Sequence, residues 1–299
     1  MLTSRQGPFR LFGLLLLWVV PLTPAWPAIL VTDDAGNRLA FEQPAQRIIS
    51  LAPHITELLY AAGAGDAIVG VSEHSDYPAA AYGLPRVSGG SGLDLEAIVG
   101  LQPDLVIAWR SGNPAHQVNR LRQLGLRIFI SEPRRLEDVV ASLERFGLLA
   151  GSTAEAREQV MVFRQRHAAL ARRYAQRDTV SVFYSVWQRP VMTVNGEHLI
   201  SDIIRLCGGR NVFDALPGLA PQIGIEAVLA ADPQVIIAGG GEAELSGLFE
   251  MWTRWPELTA VKNSHLFTIP RDSIVRHSPR VLDGAEKLCQ LLDGVRHKE

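Results

Sequence analysis

Asp94-Leu-Glu-Ala-Ile-Val-Gly-Leu-Gln-Pro-Asp-Leu-Val-Ile-Ala108 returns later in the chain as Gly224-Ile-Glu-Ala-Val-Leu-Ala-Ala-Asp-Pro-Gln-Val-Ile-Ile-Ala238. At one constant offset Glu96 and Glu226, Ala97 and Ala227, Pro103 and Pro233, Ile107 and Ile237, and Ala108 and Ala238 are identical. Most of the remaining differences exchange one apolar residue for another. Each copy reads as a short helix, a proline that ends it, and an apolar run of strand length. Any two helix–proline–strand units look somewhat alike. These two also place one exposed-looking glutamate at the same point, which suggests two related lobes.

The surrounding chain fits that division. Ile29 to Phe41 reads as a hairpin around Asp34-Ala35-Gly36-Asn37. Arg47–Leu51, Ile68–Val71, Asp104–Ala108 and Leu126–Ile130 read as strands, with helical patterns at Leu93–Leu101 and Ala115–Leu124. A further helix opens at Pro53 and stops at Gly63. From Ser152 to about Arg177 neither glycine nor proline interrupts the chain, so the segment reads as one helix of about 25 residues, roughly 38 Å long. Beyond it the alternation resumes, with strands at Thr179–Tyr184, Gln234–Ala238 and His265–Ile269 and helices at His198–Leu206, Glu226–Ala230 and Ser278–Val295. Strands alternating with helices predict an α/β fold with mostly parallel sheets. The expected division is a signal at 1–28, an N-terminal lobe at 29–150, an interlobe helix at 151–178 and a C-terminal lobe at 179–299.

The first 28 residues carry Arg5 and Arg10, the apolar stretch Leu11–Val20, and small residues at Thr23, Ala25 and Ala28. That is the pattern of a secretory signal. The apolar stretch is shorter than the ~20 residues of a membrane span, so no membrane insertion is expected after cleavage. Of the 299 residues, 47% are hydrophobic and 20% charged, and the net charge is −2, which excludes disorder and leaves no basic footprint for nucleic acid. The two cysteines, Cys207 and Cys289, have neither CxxC nor zinc spacing. In an exported chain they are most simply a disulfide, worth about 3–4 kcal/mol, the alternative being two buried thiols.

Catalytic signatures are absent: no G-x-S-x-G, GxxxxGK[ST] or HExxH, and no GxGxxG after a strand. His54, His74, His198 and His277 fall near element ends, but nothing selects a metal-binding set among them, so no metal is expected. Tyr77, Trp109, Tyr184 and Trp187 stand at or just after strand ends, where loops line the crevice of an open sheet. They could stack on a large flat ligand or belong to the core. Asp272 and Arg276, four apart, could bond a ligand's edge or form a simple surface pair.

RIISLAPHITELLYAAGAGDAIVGVSEHSDYP, LDLEAIVGLQPDLVIAWRSGN and LISDIIRLCGGRNVF resemble the periplasmic cobalamin-binding proteins of ABC importers, the BtuF type, and the likeness continues through Arg271 to Cys289. IAWRSGN and the SDYP loop mark this branch, while SLAP and the Pro-Asp-Leu-Val-Ile unit are shared with siderophore and haem receptors. The resemblance implies two α/β lobes on one rigid helix, a corrinoid held between them with little hinge closure, and no resident cofactor. It implies that Trp109, Asp272 and Arg276 lie around the corrinoid and that Cys207 and Cys289 pair. Glu96 and Glu226 match the glutamates that dock on the importer's membrane subunits. Family aromatic positions carry His74, Gly90, Met192 and Ala220 here, which leaves Tyr184 and Trp187 as candidate replacements. His74 could bond the ligand's edge or its metal. The expected protein is a monomeric periplasmic carrier of cobalamin or a related corrinoid. The alternatives are a ferric siderophore or haem receptor and, more distantly, an exported enzyme on a two-lobed scaffold.

Overall fold

Four short strands in each half of the chain form a parallel sheet, and the two sheets have the same topology. The computed structural model describes residues 28 to 297 except Ser91. The export-signal reading lies outside the described residues up to residue 27. The chain enters through an antiparallel hairpin, β1 (Ile29–Thr32) and β2 (Arg38–Phe41), as expected from its turn residues. Then come β3 (Ile48–Ser50), α1 (Pro53–Ala61) and β4 (Ile68–Val71). A small hairpin, β5 (Ser88–Gly89) with β6 (Gly92–Leu93), leads to α2 (Leu95–Gly100), β7 (Leu105–Trp109), α3 (Ala115–Gln123) and β8 (Ile128–Ser131). The first large sheet has the order β4-β3-β7-β8, all parallel.

Two consecutive helices follow, α4 (Leu136–Ala150) and α5 (Thr153–Tyr174). The second half contains β9 (Val180–Ser185), a hairpin of β10 (Trp187–Gln188) and β11 (Val191–Met192), α6 (Leu199–Leu206), β12 (Gly209–Asn211), α7 (Ile225–Ala231), β13 (Val235–Gly239), α8 (Glu242–Trp252), α9 (Thr259–Lys262), β14 (Leu266–Ile269), α10 (Arg271–Val275) and α11 (Val281–Arg296). Its sheet runs β12-β9-β13-β14, again parallel. Relabelled by order within each half, both sheets read second, first, third, fourth. The sequence repeat is α2–β7 in one lobe and α7–β13 in the other, each strand central in its sheet.

The central strands are buried on both faces, as parallel sheets require, which is why they are mostly apolar rather than alternating. One face of each sheet packs locally: Ile49, Ile98, Val106 and Leu121 in the first lobe, Phe183, Val228, Ile236 and Trp252 in the second. The opposite faces meet in a continuous apolar core shared by both lobes, through α1, α4, α5, α6 and α11. The lobes therefore share a core, and a wide hinge motion would have to split it.

α5 is about 33 Å long, three residues shorter than expected, because Ala175 begins a turn that unwinds the end. It packs on α1 and α4 at one end and on α6 and α11 at the other. Arg164 pairs with Glu137 of α4 and Arg166 with Asp283 of α11. Ser152, at the N-cap of α5, makes no side-chain cap and donates its hydroxyl to the Ala62 carbonyl at the end of α1. Gly147 lets α4 lie against α5, since a methyl group there would overlap Ala156. Cys207, capping α6, and Cys289 in α11 form a disulfide with a sulfur–sulfur distance of 2.05 Å. Among the described residues no helix is long and apolar enough to cross a membrane.

Candidate functional site

The loops at the carboxyl ends of the parallel strands face one another across the two lobes, the position where open α/β sheets bind ligands. The loop after β4 holds His74, Asp76 and Tyr77. It is fixed by a chain of hydroxyls, Ser50 to Thr56 (2.8 Å), Thr56 to Ser75 (3.0 Å) and Ser72 to Ser75 (2.9 Å). Arg86 donates to the Ser72 and Ser75 carbonyls from the outside. His74 stands exposed at the tip, with a left-handed backbone (φ 63°). At the end of β7, the Asn113 side chain accepts from the Trp109 N–H and donates to the Leu51 carbonyl, which sets the turn that follows the indole.

A charged network crosses from this loop to the segment after α10. The Glu57 side chain, 1% exposed, accepts from Arg276 (2.9 Å), from the Ser278 hydroxyl (2.6 Å) and twice from Arg280 (2.7 and 3.0 Å). Arg276 also donates to Asp76 and pairs with Asp272 at 3.1 Å. The Arg280 guanidinium sits 3.9 Å from the centre of the Tyr77 ring, a cation–π contact. Burial works against the Arg276 charge, but its bonds to Asp76 and Glu57 outweigh this and hold its pKa above the ordinary arginine range. The hydrogen bond from Arg276 likewise holds the Asp76 carboxyl below its usual range. The pair Asp272–Arg276 expected from spacing is present, yet Arg276 is buried and engaged by three carboxylates.

Beside this network lies an imidazole–indole cluster. His54 packs edge-on against Trp109 (5.1 Å between ring centres), His277 lies 5.4 Å from His54 and 6.3 Å from Trp109, and His198 lies 5.7 Å from His277. Burial is the main cause that drives the pKa of His54 down to about 3 and that of His198 to about 4, and that of His277 well below its usual value. Three of the four histidines noted in the sequence thus come together, and His74 stands apart. The described residues contain no group of three or more His, Cys, Asp or Glu arranged to hold a metal.

The second lobe contributes a cavity of about 530 Å³ between the ends of β9 and β13, the β10–β11 hairpin and α8, in the usual size range of small-molecule sites. Trp187, 55% exposed, forms one wall and donates its indole N–H to the Arg189 carbonyl. Arg271 and Glu244 face each other at 3.4 Å on the lining. Tyr184 differs from expectation. It is 2% exposed and packed in the core beneath Gly239, so its ring face is not presented to the cleft. It belongs to the buried body of β9, and the next aromatic, Trp187, is exposed in β10. Among positions where aromatics are missing, Gly90 and Ala220 are exposed, and Met192 sits opposite Trp187 in the hairpin.

Glu96 and Glu226 are exposed, each the second residue of its helix, α2 or α7, at the start of the repeated unit. Sequence reading missed Glu57 as the partner of Arg276, and Arg280 as a second arginine on the same carboxylate. The signal for Glu57 was a carboxylate next to the apolar run Leu58–Leu59 in a buried helix, where it demands a partner.

A family model described as "Periplasmic binding protein" matches residues 48–273. The vitamin B12-binding protein of Vibrio parahaemolyticus serotype O3:K6 is 38% identical over 257 residues, 86% of this chain and 92% of its own. That of Vibrio cholerae serotype O1 (strain ATCC 39541 / Classical Ogawa 395 / O395) is 40% identical over 255 residues, covering 85% and 91%. The crystal structure of the periplasmic vitamin B12-binding protein BtuF of Vibrio cholerae superposes with a TM-score of 0.78 at 38% identity, covering 85% of this chain and 98% of that one. A periplasmic haem-binding protein from Pseudomonas aeruginosa shares the fold with a TM-score of 0.69 at 23% identity. The chain belongs to the periplasmic binding protein family.

Proposed function

We propose that the protein is exported to the periplasm, captures cobalamin or a related corrinoid between its lobes, and delivers it to an ABC importer. The single observation that carries this reading is the 38% identity to the vitamin B12-binding protein of Vibrio parahaemolyticus, which spans nearly the whole of both chains. Its supports are the aromatic and polar groups gathered at the strand ends. On this reading 29–150 and 179–299 are the two lobes, with 151–178 the rigid helix between them. Tyr77, Trp109 and Trp187 offer apolar faces to the macrocycle, and His74 and Asp272 offer hydrogen bonds to its periphery. Arg276 acts mainly by holding the two walls together, because three carboxylates already occupy it. The protein performs no catalysis and acts as a monomer.

Glu96 and Glu226 would place one negative charge on each lobe for cationic partners on the importer. Reversing both to Lys should abolish stimulation of the importer's ATPase and leave ligand affinity unchanged; lost affinity would instead put those acids in the ligand site. Calorimetry of the mature protein with cyanocobalamin, cobinamide, haemin and a ferric siderophore tests the ligand class. Heat with the corrinoids alone is expected, and heat only with haemin or the siderophore transfers the protein to the other branch.

A further inference from the structure

His54, Trp109, His198 and His277 join the lobes with uncharged rings, and the fold leaves little room for a proton on them. His54 Nε2, His277 Nδ1 and Trp109 Nε1 are buried without a hydrogen-bond partner among the described residues. His277 comes from the second lobe and packs against His54 of the first, with 5.4 Å between ring centres. His198 Nδ1 accepts the Ile200 N–H at 3.1 Å and so caps α6, which fixes its proton on Nε2. A second proton on His198 would enter at Nδ1 and break that cap. His54 lies in the first turn of α1 and His198 at the head of α6, both positive ends of helix dipoles.

The surrounding charges act in the same direction. Arg276 faces His54, and Arg134 faces His198. The nearby carboxylates are committed elsewhere. Glu57 bonds Arg276, Ser278 and Arg280, Glu197 pairs with Arg134, and Glu132 accepts from the Ser111 N–H.

We propose that this cluster makes the lobe contact pH-sensitive: protonation of its imidazoles in mild acid loosens the strand-end side of the junction, while the shared helical core holds. The inference concerns the ligand-free protein and does not depend on which ligand it carries. The sign follows from linkage. An imidazole that regains its ordinary proton affinity on opening binds more protons in the open form, so acid favours opening. From a reference pKa of 6.5, each such ring multiplies the open population about thirtyfold at pH 5 and about fourfold at pH 6.

Hydrogen exchange of the ligand-free mature protein at pH 7.5, 6.0 and 5.0, corrected for intrinsic rates, tests this. Protection should fall at least tenfold at pH 5.0 in residues 52–58, 131–136, 196–201 and 276–280, while β3, β7, β9 and β13 keep theirs. The double variant His54→Asn with His277→Gln should lose most of that fall. Equal falls in wild type and variant, or none in wild type, would overturn the proposal. Should the variant not fold, NMR titration of the imidazole carbons in the wild type decides. Protons taken up only together with loss of protection support the proposal, and uptake near pH 6.5 with protection unchanged refutes it.

Discussion

Two neighbouring patches tie the lobes together at the strand ends, and they differ in what they are made of. Around Glu57 the contact is ionic, with Arg276, Arg280, Asp76 and Asp272 saturating one another's bonds. One residue further on, His277 starts a contact of neutral rings with unpaired nitrogens. Arg276, Arg280 and Asp76 keep their charges through the neutral range, because hydrogen bonds to groups of opposite charge stabilise the charged form of each. The ring patch is stable only while uncharged. The same junction therefore combines a fixture that ignores moderate pH with one that responds to it.

Removing the centre of the ionic patch should have the largest effect. Glu57→Gln leaves two arginines facing a neutral amide in a buried site and should cost about 3 kcal/mol in urea unfolding. A loss below about 1 kcal/mol would mean that the patch is not structural. The ring patch should appear in the pH dependence. Its imidazoles have lowered folded pKa values, so their full stabilisation is present above pH 6.5 and is lost as pH falls toward about 4 and about 3 for His198 and His54. His54→Asn should reduce the stability lost between pH 7 and pH 5 by about 2 kcal/mol. An unchanged slope would show that His54 already titrates freely in the fold. Asp76 is the solvent-facing edge of the ionic patch, its side chain 40% exposed. Asp76→Asn should cost under about 1 kcal/mol, and a larger loss would place it at the centre with Glu57.

The fold was legible because its elements are set by local patterns. The repeat at residues 94 and 224 located the central strand of each sheet, and the uninterrupted stretch after Ser152 located α5. The helix α4 escaped notice although Leu136, Val139, Val140, Leu143 and Phe146 have helical spacing, because its N-cap is Arg135 and none of the usual capping residues marks its start. The site was less legible, since its partners are far apart in sequence. Nothing local links Glu57 to Arg280 or His54 to His277. Tyr184 and Trp187 look equivalent in sequence, but the first lies in a central strand buried on both faces and the second in the exposed hairpin beyond it.

The central claim is that a corrinoid is held between the strand ends of the two lobes, with Tyr77 on one wall and Trp187 on the other. Equilibrium titration of the mature protein with cyanocobalamin, in wild type and in Tyr77→Ala and Trp187→Ala, tests it most directly. One corrinoid per chain is expected, with each variant binding about tenfold more weakly, as the loss of one stacking face implies. No binding by the wild type, or affinity untouched in both variants, would contradict it.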